Sequence, residues 1–386
     1  MEKEKFKNLY QKEVEYIFSS PGRINLIGEH LDYNGGTVLP MAIDLGIKAY
    51  LAKRNDNIIN LASLNYENDV YTTNLEDLQI KDYHWSSYVI GPLKVLREQG
   101  ISFNQGYDIL LSSDLPMASG LSSSACLEVL TIYMFTYLNH INIEKIDMAK
   151  YARNSEMKYC HVNCGIMDQA CIALAKKDYS LLLGTSSLDY EYVNTNFHDY
   201  DILILSTNKQ RELKESKFNE RVEECNEAFN TMKKSIKCNG ECLAKCTMSD
   251  LESVKDYLSN KAYKRAKHVI TENKRVYEMV AAIINGEYAK IGEILNKSHE
   301  SLKNDFEVSG PHLDLIVELA LKYKALGARM TGAGFGGAAI CVVKKENTTF
   351  LIENVKKEYY ENTKIHADIY IAHAMGGPHL LWESTQ

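Results

Sequence analysis

The segment from Pro21 to Asp32, PGRINLIGEHLD, places an arginine, a histidine and two carboxylates among apolar residues and glycine. The polar members are Arg23, Glu29, His30 and Asp32. A segment that only builds structure rarely needs all four, because burying charged groups is costly unless they are paired. The segment therefore predicts a set of side chains that hold something together.

The segment LPMASGLSSSACLEV (115–129) follows a predicted strand and begins a predicted helix. Backbone N–H groups at a helix N-terminus, together with the positive end of the helix dipole, favour phosphate. Gly120 allows the backbone to approach a ligand closely, and the three serines that follow Leu121 offer hydroxyl groups to a phosphate or a metal. A serine-rich helix cap is the alternative. The sequence has no GxxxxGK[ST], so a Walker A loop is excluded.

Two further motifs allow more than one interpretation. Asp168 in CGIMDQA has apolar neighbours, which can tune the pKa of a carboxylate that acts as a base. A helix cap or a buried salt bridge is the alternative. Gly332, Gly334 and Gly337 match GxGxxG, but they run into a predicted strand, whereas the dinucleotide fingerprint must begin a helix. We expect a tight loop pressed against another element or a ligand.

The composition indicates a globular chain of 386 residues, with 45% hydrophobic and 25% charged residues. A net charge of −7 argues against nucleic acid or an anionic membrane as partner. The charged N-terminus lacks the apolar core of a signal peptide, and the apolar runs are too short for a membrane span. Nine scattered cysteines suit free thiols in a reducing compartment, so we expect a cytoplasmic protein.

Local patterns predict an α+β protein. Strands are predicted at 38–44, 46–52, 107–113 and 199–207, and helices at 121–139 and 146–159. The pattern becomes helical from about residue 210 and closes with strands at 338–343 and 367–372 around a further helix. We place the domain boundary near residue 196, giving an N-terminal α+β domain (1–196) and a C-terminal α+β domain (197–386).

Four segments in this order resemble the galactokinase family of the GHMP small-molecule kinase superfamily: residues 21–44, 115–129, 164–169 and 329–337. The resemblance continues at 208–225, 265–273 and 298–311, and so covers nearly the whole chain. It implies a two-domain GHMP-kinase-like fold with ATP and sugar in the interdomain cleft. The implied reaction is ATP-dependent phosphorylation of galactose at its C1 hydroxyl, with Mg²⁺, giving galactose 1-phosphate and ADP.

The resemblance also implies residue roles. Asp168 would be the base that takes the C1 hydroxyl proton, and Arg23 would keep it ionised and offset charge on the moving phosphoryl group. The implied sugar contacts are Glu29, His30, Leu31, Asp32, Gly165 and Phe218. The implied ATP contacts are Trp85, Ala118, Ser119, Gly120, Leu121, Ser122, Ser123 and Ser124. The implied Mg²⁺ ligands are Ser124 and Glu156.

The sequence departs from the family pattern near the sugar. The departures are Leu31 (usually threonine), His161 (usually glycine), Ala170 (usually larger), Phe218 (usually tyrosine) and, in the phosphate loop, Ala118 (usually glycine). Galactose remains the expected substrate, and a kinase for N-acetylgalactosamine or another hexose is the alternative. A non-catalytic galactose and ATP sensor would not need the catalytic set, which is present. We expect small-molecule partners alone and a monomer or weak dimer.

Overall fold

The computed structural model describes residues 1–116, 119–209, 214–236 and 240–384. The helices of these residues are α1 (Glu2–Tyr10), α2 (Ser87–Glu98), α3 (Ser123–Leu138), α4 (Lys145–Tyr159), α5 (Met167–Leu174), α6 (Lys214–Ile236), α7 (Met248–Ser253), α8 (Asn260–Asn285), α9 (Tyr288–Ser301), α10 (Pro311–Lys322) and α11 (Thr348–Thr363). The strands are β1 (Tyr16–Asn25), β2 (Thr37–Val38), β3 (Pro40–Lys53), β4 (Ile58–Ser63), β5 (Tyr66–Asn74), β6 (Tyr107–Ser113), β7 (Tyr179–Gly184), β8 (Tyr190–Asn194), β9 (Tyr200–Ser206), β10 (Ala325–Thr331), β11 (Ala338–Lys344), β12 (Asp368–Ala372) and β13 (His379–Glu383). Within the described ranges, none of the helices has the length and apolar character that crossing a membrane requires.

The first sheet has the strand order β13-β1-β3-β6-β4-β5 and is antiparallel except between β4 and β6. Helices α3 and α5 pack against β1 and β3, while α2 and α4 pack on α3. Helix α3 is buried over most of its length because apolar residues occupy nearly every position of LEVLTIYMFTYL. The N-termini of α3 and α5 are thereby fixed beside the end of β1.

The second sheet has the antiparallel order β10-β11-β9-β12, and β2-β7-β8 form a small separate sheet. Helices α9 and α10 pack against β10, and α8 packs on α9. A π-helical turn, Leu302–Phe306, continues α9. Helices and antiparallel sheets grouped in this way confirm the α+β class.

The predicted elements at 107–113, 121–139, 146–159, 199–207, 338–343 and 367–372 are confirmed as β6, α3, α4, β9, β11 and β12. Residues 210–213, in the predicted helical stretch, lie outside the described residues. The prediction of two strands at 38–44 and 46–52 is wrong, because β3 runs through Gly46. A Cβ at Gly46 would lie 2.1 Å from the Ser20 carbonyl oxygen. This glycine therefore allows β1 to approach β3 closely, and β3 continues through it.

The strands of the second sheet begin with β9, directly after β8 of the small sheet, and we propose that the domains divide there, near residue 196. The last strand departs from this division. Strand β13 lies in the first sheet, where Glu383 pairs with Tyr16 of β1. The predicted range 197–386 therefore includes a strand that belongs structurally to the N-terminal sheet.

Candidate active site

A cavity of about 450 Å³ lies where the loop after β1, the N-termini of α3 and α5, the end of α4, α6 and the β10–β11 loop converge. This is the size of a small-molecule site. The wall includes Arg23, Glu29, His30, Asp32, Ser119, Gly120, Leu121, Ser122, Ser123, Ser124, Glu156, Gly165, Asp168 and Phe218. Elements from both sides of residue 196 form it, so the cavity is a cleft between the two halves of the chain.

Arg23 and Asp168 form an ion pair in the cavity wall. Arg23 Nε lies 2.7 Å from Asp168 Oδ1, and Nη2 lies 2.6 Å from Oδ2. Burial opposes the charge of Arg23, but the Asp168 carboxylate outweighs burial, and the pKa of Arg23 is raised. The Arg23 side chain is 6% exposed and that of Asp168 is 30% exposed. Both groups line the cavity, and the carboxylate is the more exposed of the two.

The start of α3 is tied to this ion pair. Ser122 stands at the N-cap position of α3 with φ +62°, and its side chain makes no capping hydrogen bond. Its hydroxyl instead donates to Asp168 Oδ2. Arg23 Nη1 donates to the Gly120 carbonyl over 2.7 Å, and the Leu121 carbonyl accepts from the Arg23 N–H. Ser122 therefore stands at the N-cap position of α3 but does not cap the helix with its side chain.

The two glycine motifs touch each other across the cleft. Gly120 has φ +78° and Gly332 has φ +81°, which is the left-handed region that glycine tolerates. A Cβ at Gly332 would lie 3.1 Å from the Gly120 carbonyl oxygen. The prediction of a tight loop pressed against another element is thus confirmed. Ala118 lies outside the described residues.

Asp32 is held by the N-terminus of α5. Its Oδ1 accepts the Ile166 N–H over 3.1 Å, and its Oδ2 accepts the Met167 N–H over 3.0 Å. Burial raises the pKa of Asp32 to about 6, although these two bonds lower it in part. A Cβ at Gly165 would lie 1.8 Å from Asp32 Oδ2, so the carboxylate occupies the space of the missing side chain. Asp32 and Gly165 act as one unit.

Glu29 is tied to the other half of the chain. Its Oε1 accepts from Thr331 Oγ1 (3.0 Å) and from the Gly332 N–H (2.7 Å). Arg329 Nη2 lies 2.8 Å from the same oxygen. Its Oε2 accepts from Asn25 Nδ2 over 3.1 Å. A carboxylate offers about four acceptor positions, so Oε2 keeps acceptor capacity for a ligand while Oε1 joins the two halves.

His30 is a buried neutral histidine that borders the cavity. Burial lowers its pKa well below the usual value, and Arg221 and Arg329 act in the same direction. Its Nδ1 lies 2.9 Å from the Tyr33 hydroxyl, and its ring packs on Phe306 at 4.4 Å. Its Nε2 has no hydrogen-bond partner among the described residues. Such a buried polar atom is normally satisfied.

Ser124 on α3 and Glu156 on α4 both line the cavity. Mg²⁺ takes oxygen ligands and is commonly held by one or two carboxylates together with substrate phosphates, so this pair fits it. Gln169 Nε2 donates to Glu156 Oε2 over 2.5 Å and orients that carboxylate. Across the described ranges no cluster of three or more His, Cys, Asp or Glu side chains suits a metal. Phosphates and water would therefore complete the coordination.

Two of the predicted contacts, Leu31 and Trp85, do not line the cavity, whereas Phe218 does. Leu31 is completely buried and does not line the cavity, so its role is packing and the predicted sugar contact is corrected. Trp85 is also absent from the cavity wall. Its ring stacks on Tyr66 at 6.1 Å, and its Nε1 donates to Asp69. Phe218 lines the cavity and packs edge-on against Tyr33 at 5.2 Å.

Sequence reasoning missed several lining residues: Tyr33, Tyr88, Asn163, Gln169 and Asn219. Tyr33 directly follows Asp32, Gln169 follows Asp168, and Asn219 follows Phe218. Their position next to a predicted site residue could have indicated that they line the cavity. Tyr88 and Asn163 lie in segments without a pattern that points to chemistry. Only the fold brings them to the cavity.

Known proteins share both the fold and the motifs of this site. The GHMP kinase N-terminal domain matches residues 87–176, and the GHMP kinase C-terminal domain matches residues 279–362. Mevalonate kinase of Methanococcus jannaschii has the same fold at 22% identity, with a TM-score of 0.68 over 94% of this chain and 99% of its own. The site agrees with these matches, because a glycine loop at a helix N-terminus lies beside an aspartate–arginine ion pair. The molecule is a kinase of the GHMP class.

More specific matches narrow the class. The galactokinase galactose-binding signature matches residues 4–53. Curated galactokinases of Clostridium acetobutylicum and Clostridium perfringens are 40% and 43% identical over 97% of this chain, and over 97% and 98% of their own. The crystal structure of Lactococcus lactis galactokinase complexed with galactose has a TM-score of 0.92 at 38% identity, covering 98% of both chains. The chain belongs to the galactokinase family, which confirms the resemblance of the four motifs.

Proposed function

We propose that this protein transfers the γ-phosphoryl group of ATP to the C1 hydroxyl of galactose, giving galactose 1-phosphate and ADP. The observation that carries the proposal is the Arg23–Asp168 ion pair. It lies between the start of α3, which suits phosphate, and the group of Glu29, His30 and Asp32, which suits a polyol. One carboxylate can therefore meet both substrates.

Asp168 is the proposed base. Its oxygens accept from Arg23 and Ser122, which fixes the orientation of the carboxylate. The proton of the attacking hydroxyl passes to this carboxylate as the oxygen bonds to phosphorus and the bond to the ADP oxygen breaks. Arg23 remains cationic and offsets the charge of the transferring group.

The proposed nucleotide site is the start of α3. Free N–H groups at the N-terminus, the helix dipole and the close approach that Gly120 allows all favour the phosphates. Ser119, Leu121, Ser122, Ser123 and Ser124 line the same wall. Ser124 and Glu156 would hold Mg²⁺, which neutralises phosphate charge when bound. Trp85 remains a proposed adenine contact that would need to lie beyond the cavity described above.

The proposed sugar site uses side chains that are already oriented. Carboxylates form strong hydrogen bonds with hydroxyl groups, and Asp32 and Glu29 are each fixed by backbone N–H donors. His30 Nε2 would pair with a further hydroxyl. Phe218 lines the same cavity and has no hydroxyl group to offer to the sugar. A 2-acetamido sugar is therefore compared with galactose as substrate.

We further propose that ATP and a free sugar are the principal partners, and that the protein acts in the cytoplasm as a monomer or weak dimer. The acidic net charge of −7 supports the absence of nucleic acid and anionic membrane partners.

The test is an ATP-dependent phosphorylation screen with galactose, N-acetylgalactosamine and other hexoses, followed by NMR of the product. We expect galactose to give the highest kcat/KM and the phosphate to lie on C1. A higher kcat/KM for N-acetylgalactosamine would replace the proposed substrate. Galactose and ATP binding without turnover would identify a sensor instead.

A further inference from the structure

The segment Gly28–His30, which carries two proposed sugar contacts, has an unusual backbone. Gly28 has φ +103° and His30 has φ +64°. Left-handed backbone at a residue other than glycine is strained and persists only where its surroundings impose it. The side-chain positions of Glu29 and His30 depend on this backbone, so whatever restrains it also sets the geometry of the sugar site.

The restraint comes from one face of α8, far along the chain. Glu272 Oε1 accepts the Gly28 N–H over 3.1 Å, and His268 Nε2 lies 3.1 Å from the Glu29 carbonyl oxygen. Residues four apart on a helix lie on the same face. Helix α8 therefore holds the Ile27–Gly28 and Glu29–His30 peptide groups, which stand at either end of the Gly28–Glu29 pair.

The environment of His268 fixes which nitrogen carries the proton. A carbonyl oxygen only accepts, so Nε2 must donate to Glu29. The Ser301 hydroxyl lies 2.8 Å from Nδ1 and can donate to it. Burial lowers the pKa of His268 to about 4, which agrees with a neutral ring at pH 7. The ring also packs on Phe306 at 4.7 Å, and Phe306 packs on His30 at 4.4 Å.

We propose that His268 is a positioning residue for the sugar, which holds the Gly28–His30 backbone from the opposite half of the chain without touching the substrate. It does not line the cavity. The proposal deepens the proposed function and rests on it. Its effect should fall on sugar binding, while the phosphate side of the cleft, built by α3, should be unaffected.

The test compares His268→Gln with His268→Asn. The amide nitrogen of glutamine stands as far along the side chain as Nε2 of histidine and can still donate to Glu29, whereas that of asparagine is too short. We expect His268→Gln to keep the KM for galactose within about threefold of the wild type. We expect His268→Asn to raise it about tenfold, the loss of one buried hydrogen bond. The KM for ATP should stay unchanged in both.

His312 provides a matched control, since its Nδ1 bonds the Tyr359 hydroxyl at 2.9 Å away from the cleft. His312→Gln and His312→Asn should leave the KM for galactose unchanged. Calorimetric binding of galactose without ATP gives a second readout, and thermal melting verifies folding. If both His268 variants fail to fold, Ser301→Ala replaces them as the test. This variant keeps the His268 ring but removes the hydroxyl that orients it, and should raise the galactose dissociation constant about threefold.

Equal galactose KM values for folded His268→Gln and His268→Asn would overturn the proposal, as would an unchanged galactose affinity in Ser301→Ala if that variant has to be used. A wild type that does not phosphorylate galactose would overturn the proposed function instead. In that case the same pair is compared on the sugar that the wild type does phosphorylate, so the two failures are distinguishable.

Discussion

Replacing Gly165 with alanine should disable the sugar site through a single methyl group. The added Cβ would lie 1.8 Å from Asp32 Oδ2 and 2.0 Å from its Cγ. The carboxylate cannot simply rotate away, because both oxygens are bonded to backbone N–H groups of Ile166 and Met167. Gly165 does not have a positive φ, so alanine fits the backbone and the clash alone decides the outcome.

The magnitude follows from those two bonds. A hydrogen bond to a charged group contributes about 1.5–3 kcal/mol, so displacing Asp32 forfeits roughly 3 kcal/mol or more. Those bonds are lost from the free and the sugar-bound protein alike, so they lower the free energy of unfolding. The fall in galactose affinity is set by the sugar hydroxyl that Asp32 would accept, about 1.5–3 kcal/mol, or roughly ten- to a hundredfold. Nucleotide binding should remain near the wild-type value because α3 is not disturbed.

The assay is calorimetric titration of galactose and of ATP into wild type and Gly165→Ala, with thermal melting as a folding check. Gly376→Ala is the matched control, since a Cβ there meets nothing within 4 Å. A folded Gly165→Ala variant with galactose affinity within about threefold of the wild type would refute the coupling of Gly165 to Asp32.

Four further substitutions test other parts of the site. Asp168→Asn should lower kcat by about 10² or more with sugar binding largely kept, and should also lower the melting temperature because Arg23 loses its counter-charge; retention of a tenth of kcat would exclude Asp168 as base. Glu156→Gln should raise the Mg²⁺ concentration needed for half-maximal activity, and an unchanged Mg²⁺ titration would count against this ligand. Phe218→Tyr should raise kcat/KM for galactose by up to about tenfold through one regained hydrogen bond; if it leaves both galactose and N-acetylgalactosamine unaffected, the side chain does not contact the sugar. Burial raises the pKa of Glu128 well above its usual value of 4.5, so the folded wild type holds a proton that the unfolded chain releases, and stability falls as pH rises above about 4.5. Glu128→Gln removes this pH-dependent loss of stability, so the free energy of unfolding of the variant minus that of the wild type should increase between pH 4 and pH 8. Urea titrations measure this difference, and a difference that does not change with pH would contradict a protonated Glu128 in the folded state.

Local patterns sufficed for much of this molecule. The start and end of α3 were predicted from serines followed by apolar residues, and the loop at Gly332 from glycines that run into a strand. The four motifs identified the chemistry because each packs its functional groups within a dozen residues of sequence. Such features depend on neighbours along the chain, which a sequence displays directly.

Contacts between distant segments were not predictable in this way. Glu29 was predicted as a sugar ligand, but nothing near it in sequence indicates that Thr331 and Gly332 take one of its oxygens. The burial of Leu31 and the stacking of Trp85 on Tyr66 likewise depend on how remote elements pack. The separation of strands 38–44 and 46–52 was predicted because the close approach of Gly46 to Ser20, on another strand, is not visible in the local sequence.

The return of β13 to the first sheet has a consequence for biosynthesis. Strand β1, which carries Arg23, emerges early from the ribosome, yet one of its edges pairs with β13 (Tyr16 with Glu383). At roughly 5–20 residues per second, about 360 intervening residues take on the order of 20–70 s to translate. Throughout that interval β1 presents an unpaired edge, which is a template for pairing with other chains. The nascent N-terminal half is therefore the stage at which β1 is most open to pairing with other chains, and premature termination before residue 379 would leave that edge open permanently.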